Sequence, residues 1–161
     1  MKKYSTILLL AILAVCFAGC EKGGLGGLNT ATGTITLDGE PLADASITLI
    51  PSTPGARSAG AMSDAKGKFE FQTLNAGDGV APGEYQVTVT KFIMENAYTD
   101  EEAKIFSEAG GKSHKQVFPD RPEPKGVNLL PARYANQATS GLTLTIGESN
   151  KDLKLELTSD E

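Results

Sequence analysis

The stretch that most constrains this chain is residues 63–90, SDAKGKFEFQTLNAGDGVAPGEYQVTVT. Phe69 and Phe71 fall on one side of it, and Lys68, Glu70 and Gln72 on the other. Farther on, Tyr85, Val87 and Val89 alternate with Glu84, Gln86, Thr88 and Thr90. A strict period of two, broken by glycine-rich turns, belongs to β-strands with one wet face. The stretch reads as strand, loop, strand, and the rest of the folded chain as cover for the apolar face of that pair.

The same period recurs on both sides. Ile35 and Leu37 point inward over residues 32–38, and Asp38-Gly39 is a turn signal. Ala45, Ile47 and Leu49 form a second inward face, stopped by Pro51. Ala59, Ala61 and Ser63 mark a weakly apolar edge strand. Near the C-terminus, Leu142, Leu144 and Ile146 alternate with threonines. Leu153, Leu155 and Leu157 alternate with Lys154 and Glu156. The turn at residues 147–150 between these two strands predicts a C-terminal hairpin. Seven short strands with turns between them predict an all-β fold, a seven-stranded β-sandwich spanning residues 32–158.

The pattern stops after Lys91, and residues 92–128 read as a long insert. Thr99-Asp100-Glu101-Glu102 has the form of a capping box, with Thr99 as N-cap and Glu102 reaching back. One short helix is expected over residues 99–109, ended by Gly110-Gly111. Residues 112–125, KSHKQVFPDRPEPK, read as an extended, proline-spaced, locally basic loop. An insert of this length exceeds the usual connection of about 4–6 residues, and long connections are often functional.

The N-terminus is of another kind. Lys2-Lys3 precedes an apolar run over residues 7–15, too short for the roughly 20 residues that span a bilayer. A secretory signal fits residues 1–19. Phe17-Ala18-Gly19-Cys20 resembles the bacterial lipobox, with Phe17 where leucine is usual. That resemblance implies that Cys20 is acylated and becomes the first residue of the mature chain. It also implies a membrane partner through the lipid anchor, and Glu21 in place of aspartate implies the outer membrane. Residues 20–31 then form the lipidated cysteine and a flexible, glycine-rich tether. Cys16 and Cys20 are the only cysteines, so no internal disulfide is expected in the folded part.

A resemblance to a known module covers about residues 32–91. GTITLDGEPLADASITLIP, SDAKGKFEF and APGEYQVTVT resemble the carboxypeptidase-regulatory-like, or transthyretin-like, β-sandwich. Gly33, Asp38, Gly39, Pro41, Leu42, Ala45, Asp64, Gly67, Phe69, Pro82, Gly83 and Tyr85 occupy its recurring positions. LLPARYANQATSGLTLTI resembles the tail of small planctomycete-type lipoproteins of this kind. The transthyretin-like hydrolases share this fold and use several histidines, an arginine and a C-terminal Tyr-Arg-Gly-Ser. This chain has one histidine and ends LTSDE, so that activity does not carry over.

Little in the sequence calls for chemistry. Asp38, Asp64 and Asp78 match no calcium-loop spacing and are expected to cap turns. His114 has no cysteine or second histidine to share a metal, and it reads as a solvated loop residue. Ser107 and Ser113 lie near it, but no G-x-S-x-G turn is present. Neither a metal nor a cofactor is expected. The formal charge is −5, and losing Lys2 and Lys3 with the leader takes it to −7. An acidic domain is a poor nucleic-acid binder. Lys112, His114, Lys115, Arg121 and Lys125 are the candidate partner-binding residues. Their partner would be an envelope protein or a glycan, with the protein a non-catalytic module of the cell envelope. The alternatives are a hydrolase built on the His114 loop and a purely structural surface protein.

Overall fold

The computed structural model describes residues 27–53, 56–148 and 150–160. The leader, Cys20 and most of the tether lie outside them. The described chain is mostly β. Its body holds two four-stranded sheets, and a third sheet of two strands stands in the insert.

In the first sheet, β1 (Ala31–Leu37) is central. It pairs with β2 (Glu40–Pro41) and β5 (Lys68–Glu70), both antiparallel, along one edge. Along the other it runs parallel to β10 (Asn150–Leu157). The second sheet has the order β4, β3, β6, β9. These are Ala59–Met62, Ser46–Pro51, Gly83–Thr90 and Leu142–Ile146, all antiparallel. The weakly apolar β4 is at the edge, as expected.

One core joins the two sheets. Ile35, Ile47, Leu49, Phe71, Tyr85, Val87 and Val89 are fully buried in it, and Phe69, Ile146, Leu155 and Leu157 nearly so. Burial of each such side chain is worth roughly 1.5–3 kcal/mol. The alternation read from the sequence therefore sorts core from solvent correctly. Lys68 and Glu70 are exposed between buried neighbours, and Gln72 and Glu84 are exposed beside the buried Phe71 and Tyr85.

Strand partners are another matter. The strands carrying Phe69 and Tyr85 do not pair: β5 joins β1, and β6 joins β3 and β9. The expected C-terminal hairpin is also absent. β9 pairs with β6, placing Leu144 opposite Tyr85. β10 crosses to the other sheet, placing Leu155 opposite Ile35. The corner is fixed by Asn150, which is buried. Its Oδ1 accepts from the Gly147 N–H at 2.7 Å, and its Nδ2 donates to the Gly147 carbonyl at 2.8 Å. Two half-buried strands and a turn look alike in a hairpin and at a corner between sheets, so periodicity alone does not tell them apart.

Turns follow their residues. Asp38 and Gly39 both take positive φ, 52° and 86°, as a type I′ turn needs, and Leu37 pairs with Glu40 across it. Asp64 Oδ1 accepts from the N–H groups of Lys66 and Lys68, both at 2.8 Å. Asp78 accepts from Thr73 on one oxygen and from Leu74 and Asn75 on the other. These carboxylates are turn caps. Tyr85 buries its ring, and its hydroxyl donates to the Ala81 carbonyl at 2.9 Å.

Candidate functional site

The insert leaves the body at the end of β6 and returns near the same point. The Leu129 N–H donates to the Lys91 carbonyl at 2.8 Å, and the Lys91 N–H to Asn128 Oδ1 at 2.9 Å. Within it stand β7 (Phe92–Glu95), α1 (Asp100–Glu108), α2 (His114–Val117) and β8 (Lys125–Asn128). The expected end of strand pattern at Lys91 is thus corrected: β7 and β8 form an antiparallel ribbon. Its strands lack the period of two because both faces are wet, so packing imposes no alternation. The expected single helix is one of two, because α2 interrupts the run that reads as extended.

α1 begins where the sequence places it. Thr99 Oγ1 accepts from the Glu102 N–H at 3.3 Å, and Glu102 Oε2 accepts from the Thr99 N–H at 2.9 Å. That N–H is the main cause holding the Glu102 carboxyl below its ordinary range, followed by the Thr99 hydroxyl and Arg121. Arg121 Nε meets Glu102 Oε1 at 2.7 Å. Its two terminal nitrogens donate to the carbonyls of Asn96 and Ala97 at 3.0 and 2.8 Å. One arginine so ties the end of β7 to the first turn of α1.

Tyr98 is the hub of this arrangement. Its ring centroid lies 5.2 Å from Phe106, 5.6 Å from His114 and 5.6 Å from Phe118. The Arg121 guanidinium sits over it at 5.0 Å. His114 is therefore not a solvated loop residue: it is buried, with 8% of its surface exposed. Its ring nitrogens meet the Tyr98 hydroxyl at 2.6 Å and the Arg121 carbonyl at 2.8 Å. A histidine stacked on aromatics with two hydrogen bonds loses little by burial, which a residue-by-residue reading of a polar loop misses.

The five candidate partner residues thus divide. Lys112 and Lys115 are exposed on the α2 side, and Lys125 is exposed on β8 opposite Glu95. His114 and Arg121 are held inward by the contacts above. The sequence puts Phe106 on the inward side of the first helix, but sequence reasoning missed Tyr98 and Phe118. The available signal was the concentration of aromatics: four of the ten in the chain fall at Phe92, Tyr98, Phe106 and Phe118. Tyr98, Phe106 and Phe118, with His114, give the insert a small core of its own, while Phe92 is exposed.

The insert also has a definite position. Asn29, at the start of the described chain, bridges Val80, and its Nδ2 donates to the Gly147 carbonyl at 2.6 Å. Val80 and Gly147 flank the start of β6 and the end of β9. The insert departs from the far end of β6, a strand length away, about 26 Å at 3.3 Å per residue. Asn29 and the insert occupy opposite ends of the body.

The nearby serines are committed elsewhere. Ser107 Oγ donates to the Lys104 carbonyl at 2.8 Å, and Ser113 Oγ to Gln116 Oε1 at 3.2 Å. Among the described residues no three His, Cys, Asp or Glu side chains gather as a metal site. No described helix is long and apolar enough to cross a membrane.

Comparison with protein-family models and with characterised sequences gives no match. Among solved structures, a 9R-lipoxygenase from Cyanothece PCC8801 aligns at 12% identity with a TM-score of 0.32. The alignment covers 85% of this chain and 17% of that one. Similarity at that level bears on neither fold nor function.

Proposed function

We propose that this protein is a lipid-anchored module of the cell envelope. Its body is a transthyretin-like β-sandwich, and its insert makes a non-catalytic contact with an envelope protein or a glycan. The observation that carries this reading is the insert itself. It has its own aromatic core around Tyr98, stands at the end of the body away from Asn29, and presents Lys112, Lys115 and Lys125 to solvent.

Two four-stranded sheets around one core agree with the sandwich that the resemblance of residues 32–91 implies. The lipobox-like Phe17-Ala18-Gly19-Cys20 supports the anchor, with Cys20 the acylated first residue and the outer membrane its destination. The non-catalytic reading is supported by His114, whose two ring nitrogens are both occupied by Tyr98 and Arg121.

Photo-crosslinking in intact cells tests the contact. A photoreactive residue at position 112 or 115 captures an envelope component, and the same residue at position 70, on exposed β5, does not. Equal capture at all three positions removes the insert from the proposal.

A further inference from the structure

The ribbon of the insert leaves one strand edge open. β7 pairs with β8 on one side only, and no described strand lies along its other edge. All four β7 residues are exposed, and three are large and apolar: Phe92 at 65%, Ile93 at 41% and Met94 at 59%. Open apolar edges are templates for another strand, and proteins usually blunt them.

Which groups point outward follows from the register. Lys91 accepts from the Leu129 N–H, so its backbone faces the β8 side. Backbone groups in an antiparallel ladder alternate in direction. Ile93 therefore also faces β8, opposite Val127. The N–H and C=O groups of Phe92 and Met94 face the open edge.

We propose that this edge binds the same edge of a second copy of the chain, antiparallel, about a two-fold axis at Ile93. The stretch Lys91-Phe92-Ile93-Met94-Glu95 is complementary to its own reverse. In this register Phe92 of each copy lies opposite Met94 of the other, and these are the residues whose backbone groups face outward. Four backbone hydrogen bonds close between the copies. Phe92 and Met94 from both copies line one face of the resulting four-stranded ribbon. On the other face Ile93 meets its counterpart, and Lys91 of each copy meets Glu95 of the other. Opposite charges directly across a strand pair stabilise it, and like charges oppose it. Contacts through identical patches close as two-fold dimers and stop there. Strands of four residues bury little surface, so the dimer is weak and reversible.

Disulfide trapping of the full chain in its own membrane reads the register. In the proposed pairing Ile93 and its counterpart form a non-hydrogen-bonded pair, with Cα atoms about 4.5 Å apart. That separation lies within disulfide range. The two copies of Phe92 are offset by two residues and fall outside it. Mild oxidation therefore gives a covalent dimer of the Ile93→Cys chain and none of the Phe92→Cys chain above the wild-type background. In the Ile93→Cys background, Lys91→Glu or Glu95→Lys alone lowers the yield at least several-fold, because each puts like charges across the axis. Co-expressing those two variants with tags of different size restores a mixed dimer, because both cross-axis pairs again join Lys to Glu. No dimer from Ile93→Cys, equal trapping at position 92, or no recovery in the mixture overturns the proposal.

Discussion

Tyr98 donates its hydroxyl proton to Nδ1 of His114 across 2.6 Å. The direction follows from the other nitrogen. Nε2 faces the Arg121 carbonyl at 2.8 Å, which can only accept, so Nε2 carries the ring proton in the neutral imidazole. The chain from hydroxyl to imidazole to carbonyl spans the insert from its first turn to its last loop. Tyr98→Phe keeps the ring stack and leaves Nδ1 unpaired. We expect it to lower the opening free energy of the insert by about 1 kcal/mol. Tyr98→Ala also removes the stacked ring and costs clearly more. Hydrogen exchange of amides 99–118 measures both. Equal effects of the two variants would contradict the hub role of the ring.

The body has its own test of facing. Phe69→Ala empties a nearly buried site and is expected to cost ~3–5 kcal/mol. Lys68→Ala, on the exposed side, is expected to stay within ~0.5 kcal/mol. Gly33→Ala belongs with the first. Its new Cβ would meet the Leu153 carbonyl oxygen and Phe69 Cζ at 2.6 Å or closer. β1 and β10 would have to separate, at a cost of about 1–3 kcal/mol or more. Urea melts rank the three, and a Lys68→Ala loss matching that of Phe69→Ala would reverse the assignment of faces.

What the residues reveal without a structure depends on the kind of signal. The inward faces of β1, β3, β5 and β6 are legible because burial on one side imposes a period of two. The turns at Asp38 and Asp64 are legible because short side chains and positive φ leave few alternatives. Strand partners are not, since pairing is chosen by contacts between distant residues such as Ile35 with Leu155. The first helix of the insert announces itself through Thr99 and Glu102. Its core does not, because Tyr98, Phe106, His114 and Phe118 share no single helical or strand period. The burial of His114 follows only from where its neighbours come to lie.

Acid should weaken the turns capped by Asp64 and Asp78 and the tie from Asp38 to the Ser159 N–H near the C-terminus, which is not the turn cap expected of Asp38. Asp38, Asp64 and Asp78 all have carboxyls lowered from their ordinary value of 3.8, chiefly by backbone N–H bonds from Ser159, Lys68 and Thr73 respectively. A lowered folded value means that the unfolded chain takes up protons first. Their contribution is therefore full well above 3.8 and is lost as pH falls through the lower folded values. Asp78→Asn places an amide NH₂ against backbone donors, since both Asp78 oxygens accept. We expect that variant to be less stable at pH 7 and to lose less on acidification. Urea midpoints measured from pH 7 down to below pH 3 test this, and parallel pH profiles for the two proteins would contradict it.

The anchor is tested on the mature chain. Mass spectrometry of its N-terminus is expected to find Cys20 first and acylated, and Cys20→Ala is expected to leave the membrane fraction. An unmodified chain starting elsewhere, or Cys20→Ala remaining membrane-bound, would contradict the lipoprotein reading.

The central claim is that recognition lies in the insert while the body is its support. The close approach of the Lys91 carbonyl and the Leu129 N–H, 2.8 Å, permits a direct test. Residues 92–128 can be replaced by a short glycine turn with little strain on β6. Replacing only residues 112–125 would not serve, because it removes His114 and Arg121 and with them the core of the insert. The measurement is envelope crosslinking of the shortened protein in intact cells, beside a urea melt of the same protein. The account predicts an unchanged melt of the body and loss of the crosslinked partner. A folded body that still captures the same partner would contradict it, and would place the binding surface on the exposed faces of the two large sheets.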